Sequence, residues 1–329
     1  MASESSKVAS LRDIAEETGV SIRTVRRALE GTGSTSAEAR ERVTEVAERL
    51  GYRPNLVARA LRTGRTMEVG AVLGEVSELH MTKLRAFEER LREAGYSLFV
   101  LFGRRDRSGA DPTRQVLDRL VQRAPMGVAF FGGLDLDMTE AIRETEAAGL
   151  PYMLLDHRGE SGDVIGIRRE EGVYEAIHYL ARSGRRTIAY FGTDDRTRLD
   201  GYERAMAELG REPIIVINPE ADPADLEPLL ALQPRPDALQ VSSDVLALKV
   251  LAQLHERGIA VPREIAVIGF DDRELTALSW PALTTLAQPN RDVGRTAAEV
   301  LLSKMGGDEP PAGGWSQRLP MRLVVRESA

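Results

Sequence analysis

From Met67 onward the sequence alternates short apolar runs, rich in β-branched residues, with amphipathic stretches of helical periodicity. Runs such as Val69–Leu73 and Ala238–Val241 are typical of strands, and stretches such as 82–94 and 244–257 are typical of helices. Apolar strands between amphipathic helices indicate parallel sheets covered on both faces. Because this pattern runs for about 260 residues, more than one small domain needs, it predicts two similar α/β lobes.

The first fifty residues have a different pattern. Residues 11–29 read LRDIAEETGVSIRTVRRAL, two short helical patterns joined at Thr18-Gly19-Val20. Gly19 can adopt the left-handed conformation that a sharp turn needs, and Ser21 stands where the second helix would be capped. A third helical pattern begins after Ser36 and ends at Gly51. Three helices with this spacing are typical of a helix-turn-helix, whose second helix enters the major groove of DNA.

Charge is distributed unevenly along the chain. The net charge is −7 overall, yet residues 1–66 carry 12 Lys and Arg against 9 Asp and Glu. Arg23 and Arg27 are four residues apart on one helical face, with Arg26 beside them. A basic head on an acidic body suits a protein whose head contacts phosphate. The alternative interpretation of this face is an ordinary helical hairpin with solvated arginines.

The composition and the absence of certain motifs exclude several classes of function. The chain has no cysteine, which excludes disulfides and thiolate metal sites, and only four histidines. No apolar run approaches the ~20 residues of a membrane helix, and the first twenty residues lack a signal-peptide core. Neither a Gly-x-Ser-x-Gly motif, a phosphate loop nor metal-ligand spacing is present. These features predict a cytoplasmic protein without a cofactor, a membrane segment or an enzymatic site.

Taken together, these residues resemble the LacI/GalR family of transcriptional repressors. The resemblance is carried in the head by Asp13-Ile14-Ala15, Gly19-Val20-Ser21 and Leu50-Gly51-Tyr52, and in the body by Asp200-Gly201-Tyr202 and Gly269-Phe270-Asp271-Asp272. It implies a homodimeric repressor whose body folds like a periplasmic binding protein. The implied domains are a helix-turn-helix at 1–54, a hinge helix and linker at 55–66, and an effector-binding α/β body at 67–329. Within the body we expect one lobe at about 67–156 plus 288–318, and the other at about 157–287 plus 319–329.

The resemblance also implies roles for residues that contact operator DNA. It places Ile22, Arg23 and Arg27 where base-reading side chains belong, and arginine can bond guanine bidentately. It makes Leu61, beside Arg62, a wedge in the minor groove, and it assigns phosphate contacts to Ser10, Thr24, Ser36 and Asn55. Arg26 and Glu30 depart from the family pattern, so Arg26 could contact either a base or a phosphate.

Effector residues are expected at the carboxyl ends of strands, where two open lobes form a cleft. The resemblance points to Arg198, Asp271, Asp244, Asp156 and Asn290. A carboxylate and a guanidinium together orient sugar hydroxyls, although such residues also form plain surface or inter-lobe ion pairs. Arg168 and Arg169 stand where the family often has Asp-Asn.

The resulting prediction is a repressor of carbohydrate-utilisation genes that binds a palindromic operator under the control of a sugar-like effector. The alternatives are a sugar acid, a phosphorylated metabolite, a nucleobase or a protein coeffector. The sequence leaves the identity of the effector and the direction of its effect open.

Overall fold

The computed structural model of the chain describes residues 9–31, 34–52, 64, 66–74, 76–103, 111–134, 136–157, 162–218, 226–312 and 314–329. The chain divides into two compact units, Met1–Thr66 and Met67–Ala329. Asn55, Leu61 and Arg62 lie outside the described residues, so their DNA contacts stay predictions.

The smaller unit contains three helices, α1 (Leu11–Thr18), α2 (Ile22–Glu30) and α3 (Ala37–Arg49). Gly19 has a φ of +69° between α1 and α2, as the predicted turn requires. The serines before the helices cap them through bonds from Asp13 N, Thr24 N and Ala39 N. One apolar cluster holds the helices together: Ile14, Val25, Ala28, Val43, Val46 and Ala47.

The first sheet of the larger unit has six strands in the order β11-β5-β4-β3-β1-β2. Its strands are β1 (Glu68–Leu73), β2 (Ser97–Phe102), β3 (Gly127–Phe131), β4 (Tyr152–Leu155), β5 (Val164–Ile167) and β11 (Gln317–Leu319). Every neighbouring pair is parallel. Its helices are α4 (Glu78–Glu93), α5 (Thr113–Arg123), α6 (Met138–Ala147) and α11 (Asn290–Gly306). This sheet and these helices are called the first lobe.

The second sheet has the order β12-β10-β9-β8-β6-β7. Its strands are β6 (Ile188–Gly192), β7 (Ile214–Ile217), β8 (Ala238–Val241), β9 (Ala266–Asp271), β10 (Thr284–Ala287) and β12 (Arg322–Val324). Its helices are α7 (Arg169–Arg182), α8 (Arg196–Glu208), α9 (Leu226–Leu230) and α10 (Asp244–Glu256), with a 3₁₀ turn at Glu274–Ala277. These elements form the second lobe. The predicted α/β architecture with parallel sheets is confirmed.

One strand departs from the parallel pattern. β12 pairs antiparallel with β10. Only Pro320 and Met321 separate β12 from β11 in the first lobe. β12 therefore adds an antiparallel edge strand to an otherwise parallel sheet.

The boundary between the lobes lies later in the chain than predicted. The sequence placed it at 156–157, but β5 pairs with β4 in the first sheet, with Val164 opposite Leu154 and Ile165 opposite Leu155. The first lobe therefore continues to Ile167, and α7 begins the second. A four-residue strand without a helix before it has too short a pattern to reveal which sheet it joins.

Close backbone contacts fix the packing of the first lobe. Helix α11 packs against α4 at Gly294, where an added Cβ would lie 2.1 Å from the carbonyl oxygen of Lys83. The two helices can approach this closely because glycine has no side chain. None of the described helices is long and apolar enough to cross a membrane.

Candidate functional site

Helix α2 presents the basic face that the sequence predicts. Val25 and Ala28 are buried in the helical core, so the opposite side of α2 faces outward. Ile22 is 42% exposed and Arg23 is exposed, whereas Arg26 and Arg27 are half-buried. The two residues at the start of α2 are therefore the most accessible to a DNA base edge.

Arg26 differs from its neighbours in one respect. Its Nε atom is buried and has no hydrogen-bond partner among the described residues. Buried donors are normally paired, so this guanidinium retains capacity for a contact. Whether that contact is a base or a phosphate stays open, and the side chain of Glu30 lies outside the described part of the chain.

The hydroxyls predicted to meet phosphate are already engaged within the helical unit. Ser10 Oγ lies 2.7 Å from Asp13 Oδ2, and the Ser10 backbone N–H donates to the same carboxylate. Thr24 Oγ1 lies 2.9 Å from Ser21 Oγ, and Ser36 Oγ accepts from Ala39 N. The structure thus gives Ser10 and Ser36 a capping role, and their phosphate contacts stay predictions.

In the larger unit, Asp271 ends β9 at the edge where the lobes meet. Its φ is +125°, unusual for a residue with a side chain, and it is 6% exposed. Gln288 Nε2 donates to its Oδ1 at 2.5 Å, and Arg273 Nε lies 3.4 Å from its Oδ2. Burial raises the pKa of Asp271, although Arg198 and Arg273 oppose the rise.

Arg198 lies on α8, close to Asp271. Its guanidinium stacks on Phe270 with 4.1 Å to the ring centre, and its Nη1 donates to the Ser242 carbonyl oxygen at 2.8 Å. Its Nε lies 3.3 Å from Asp195 Oδ2. Burial lowers the pKa of Arg198, and the charges of Asp195 and Asp271 work against that decrease. The predicted guanidinium and carboxylate thus lie near enough to interact electrostatically, while Arg198 forms an ion pair with Asp195 and Asp271 forms one with Arg273.

Asn290 and Asp271 line one cavity of about 240 Å³ between the lobes, together with Glu78, Thr82 and Gln288. Asn290 Oδ1 and Gln288 Oε1 are buried and have no hydrogen-bond partner among the described residues. Gln288 was not predicted, although it follows β10 and the same rule of polar residues at strand ends would have found it. The cavity therefore offers several acceptor oxygens to a hydroxylated ligand.

Asp156 forms two ion pairs in the structure, and its contact with an effector stays a prediction. Lys83 Nζ lies 2.5 Å from its Oδ2 and Arg169 Nη2 lies 2.6 Å from its Oδ1. Burial by itself raises the pKa of Asp156, but Arg169 and Lys83 outweigh it and hold the pKa below its usual value. Asp156 therefore positions Arg169. Arg168 points elsewhere, since its Nε donates to the Arg318 carbonyl oxygen on β11.

Asp244 is held by hydrogen bonds within the second lobe, and its contact with an effector stays a prediction. It is 0% exposed, and its oxygens accept from Thr285 Oγ1 at 2.6 Å and from the Arg273 backbone N–H at 2.8 Å. Burial raises its pKa to about 6. Asp244 holds the loop that carries Arg273, whereas the carboxylates that line the cavity are those of Glu78, Asp271, Asp272 and Asp292.

Two regions of the chain match known protein families. Residues 10–55 match the helix-turn-helix region of the bacterial regulatory proteins of the lacI family, and residues 177–329 match the periplasmic binding protein-like domain. The HTH-type transcriptional repressor PurR of Vibrio atlanticus is 30% identical over 315 residues, covering 91% of this chain and 92% of that protein. The chain belongs to the lacI family. Its members are DNA-binding transcriptional regulators, which agrees with the prediction of a non-enzymatic protein.

Other relatives match this lacI-family chain over nearly its whole length. Catabolite control protein A of Priestia megaterium is 29% identical over 331 residues, covering 96% of this chain and 98% of that protein. The lac repressor dimer bound to operator and the anti-inducer ONPF is 25% identical, with a TM-score of 0.79, and the match covers 98% of this chain and 99% of that one. The fold is therefore that of the lac repressor.

Proposed function

We propose that this lacI-family regulator binds a palindromic operator as a homodimer in the bacterial cytoplasm and represses genes of carbohydrate use. A small hydroxylated effector in the cleft between the lobes would control it. The observation that carries this proposal is a cavity of about 240 Å³ lined by the buried carboxylate of Asp271, which interacts electrostatically with the nearby guanidinium of Arg198. The volume lies just below the usual range of ligand sites and suits a small molecule.

The chemistry of the cavity supports a polyol or sugar. Asp271, Gln288 and Asn290 line the cavity and carry acceptor oxygens, and Arg198, whose charge acts on Asp271, is a charged donor close to it. Sugar hydroxyls both donate and accept, and charge-assisted bonds to a carboxylate and a guanidinium fix their orientation. The positive backbone φ of Asp271 fits a functional position, since strained residues cluster at ligand sites.

Contacts across the cleft join the two lobes, so an effector bound in the cleft can influence how the lobes are arranged. Glu78 at the start of α4 accepts from the Glu274 backbone N–H at 3.1 Å and lies 3.8 Å from Arg273 Nη1. These bonds join the first lobe to the loop after β9. An effector that binds one lobe arrangement more tightly shifts the population toward it, which couples the cleft to operator affinity.

An exposed apolar surface of the second lobe supports the dimer. Leu275 is 62% exposed, Leu278 is 80% exposed and Trp280 is 86% exposed. A cluster of large apolar side chains in water is typical of a protein interface. We assign a second copy of this chain to that surface, because the matching lac repressor is a dimer and a two-fold dimer fits a palindromic operator.

A ligand screen tests the proposal. Thermal shift measurements with neutral sugars, polyols, sugar acids, sugar phosphates and nucleobases should yield compounds that raise the melting temperature. Each should then change operator affinity in a fluorescence anisotropy titration. Arg198→Ala and Asp271→Asn should abolish the ligand response. Arg196→Ala is the matched control, because Arg196 lies on the same helix, is 60% exposed and pairs with Asp200 and Glu203.

The outcomes separate the alternatives. A nucleobase that alone raises the melting temperature would replace the sugar with a different effector class. A hit that binds equally well to Arg198→Ala and to the unmodified protein would show that the effector site lies elsewhere.

A further inference from the structure

The cluster of Lys83, Asp156 and Arg169 contains two cations for one carboxylate. The Lys83 side chain is 2% exposed, that of Asp156 is 8% exposed and that of Arg169 is 10% exposed. Lys83 belongs to α4 of the first lobe, and Arg169 begins α7 of the second. If all three are charged, the cluster holds one buried positive charge in excess.

That excess is unusual for a purely structural ion pair. Lys83 alone neutralises Asp156, through a bond of 2.5 Å. A second buried cation adds a desolvation cost that one shared carboxylate offsets only in part. Buried charges are normally paired, so the cluster lacks one anion among the described residues.

Arg169 also has an unused donor. Its Nη2 donates to Asp156, but its Nε is buried and has no hydrogen-bond partner among the described residues. The remaining donor edge of a guanidinium matches the oxygens of a carboxylate or phosphate. The side chain is therefore held in place by Asp156 while its Nε still needs an acceptor.

The position of Arg169 relates this donor to the effector cleft. It follows the carboxyl end of β5, as Asp156 follows that of β4. Arg169 lies near enough to Arg198 for its positive charge to lower the pKa of Arg198. Arg169 and Arg198 thus supply donors near the carboxyl ends of the strands, whereas Asp271, Gln288 and Asn290 line the cavity and carry acceptor oxygens.

We propose that Arg169, together with Arg198, binds an anionic group of the effector, so that the effector is a small polyhydroxylated anion. Its hydroxyls occupy the cavity at Asp271, and its carboxylate or phosphate ester supplies the charge that the Lys83 cluster lacks. This inference rests on the proposed effector function and names the chemical class of the ligand.

The test compares matched neutral and anionic probes on the full-length protein. Glucose is paired with gluconate and glucose 6-phosphate, and galactose with galacturonate and galactose 6-phosphate; inorganic phosphate tests for binding of the anion alone. Thermal shift identifies binders, and calorimetry gives their dissociation constants. We expect an anionic probe to bind at least tenfold more tightly than its neutral partner. Comparison of the sugar acids with the sugar phosphates shows whether the bound group is a carboxylate or a phosphate ester.

Substitutions then assign the effect to Arg169. Arg169→Gln should weaken the anionic probe about 10- to 100-fold, as expected for the loss of a bond to a charged group, and Arg169→Lys should recover part of the affinity. Arg168→Gln is the matched control, because the adjacent Arg168 is 49% exposed and contacts Arg318 and Glu171 instead. Circular dichroism spectra and melting temperatures without ligand verify that each variant is folded.

Three results would overturn the inference. They are a neutral sugar that binds as tightly as its anionic partners, an anionic probe that is insensitive to Arg169→Gln in a folded variant, and a screen in which no anionic probe binds. In the first case the proposed function still stands if Arg198→Ala abolishes binding. Conversely, an Arg169-dependent anion that leaves operator affinity unchanged supports the anion site and contradicts the proposed function.

Discussion

Replacing Asp244 with Asn should change how the stability of the larger unit depends on pH. Asp244 is fully buried, and its pKa rises from 3.8 to about 6 in the folded protein. A raised carboxyl pKa means that the folded state binds the proton more tightly than the unfolded chain. The stabilisation is therefore complete below about pH 4 and is lost as the pH rises through about 6.

The magnitude follows from the size of the shift. Two pKa units correspond to about 3 kcal/mol in total, at about 1.4 kcal/mol per unit. Between pH 8 and pH 5 only part of the proton uptake occurs, so this group adds about 1 kcal/mol to the free energy of unfolding. Asn keeps an oxygen for the Arg273 backbone N–H and can donate to Thr285 Oγ1, so the loop contacts survive.

Urea unfolding at pH 5, 6, 7 and 8 measures the effect. Tryptophan fluorescence reports on the larger unit, because Trp280 and Trp315, the two tryptophans of the chain, both lie in it. The stability of the unmodified protein minus that of Asp244→Asn should increase by about 1 kcal/mol from pH 8 to pH 5. Asp118→Asn is the control, since that side chain is 53% exposed on α5. A difference that is constant with pH, or that falls toward pH 5, would refute the reasoning.

Four further substitutions test other parts of the molecule. Gly294→Ala places a Cβ 2.1 Å from the Lys83 carbonyl oxygen, so urea unfolding should show a loss of roughly 1–3 kcal/mol or more; unchanged stability would mean that α4 and α11 can separate freely. Ser21→Ala removes the cap of α2, so it should cost about 1 kcal/mol in stability and weaken operator binding; equal operator affinity would argue against a role for this helix. Trp280→Glu should dissociate the proposed dimer, and an unchanged mass by light scattering would contradict the assigned surface. Leu61→Ala should weaken operator affinity in a gel shift without lowering the melting temperature, and equal affinity would disprove the wedge.

Sequence patterns predicted those elements whose formation depends on local interactions. The turn at Gly19, the cap of α2 at Ser21 and strand β8 lie where the pattern placed them, and β1 begins only one residue before the predicted run. Each is determined by a few neighbouring residues, through a left-handed glycine, a hydroxyl at a helix start or an apolar run of fixed length. The short strands β5 and β11 were not predicted, because three or four residues carry too little periodicity.

The candidate site, in contrast, depends on contacts between residues that are distant in the sequence. Lys83 is a single lysine within a helical pattern, and nothing near it in sequence indicates that its amine is buried against Asp156, 73 residues away. Arg168 and Arg169 are adjacent and chemically identical, yet one is exposed beside Arg318 and the other is buried in the cleft. The two arginines differ because the fold directs one side chain toward β11 and the other toward Asp156.

The sequence by itself determined the family, the helix-turn-helix and the α/β class, because these follow from residue order and periodicity. It also brought Asp156, Asp244 and Asp271 forward as carboxylates near strand ends. The tertiary structure decided which of them faces the cavity. Asp244 is held by Thr285 and a backbone N–H, and Asp156 by Lys83 and Arg169. Asp271 accepts from Gln288 and Arg273 and also lines the cavity. The physical reason is that the availability of a carboxylate depends on which partners the fold brings to it, and those partners come from distant segments of the chain.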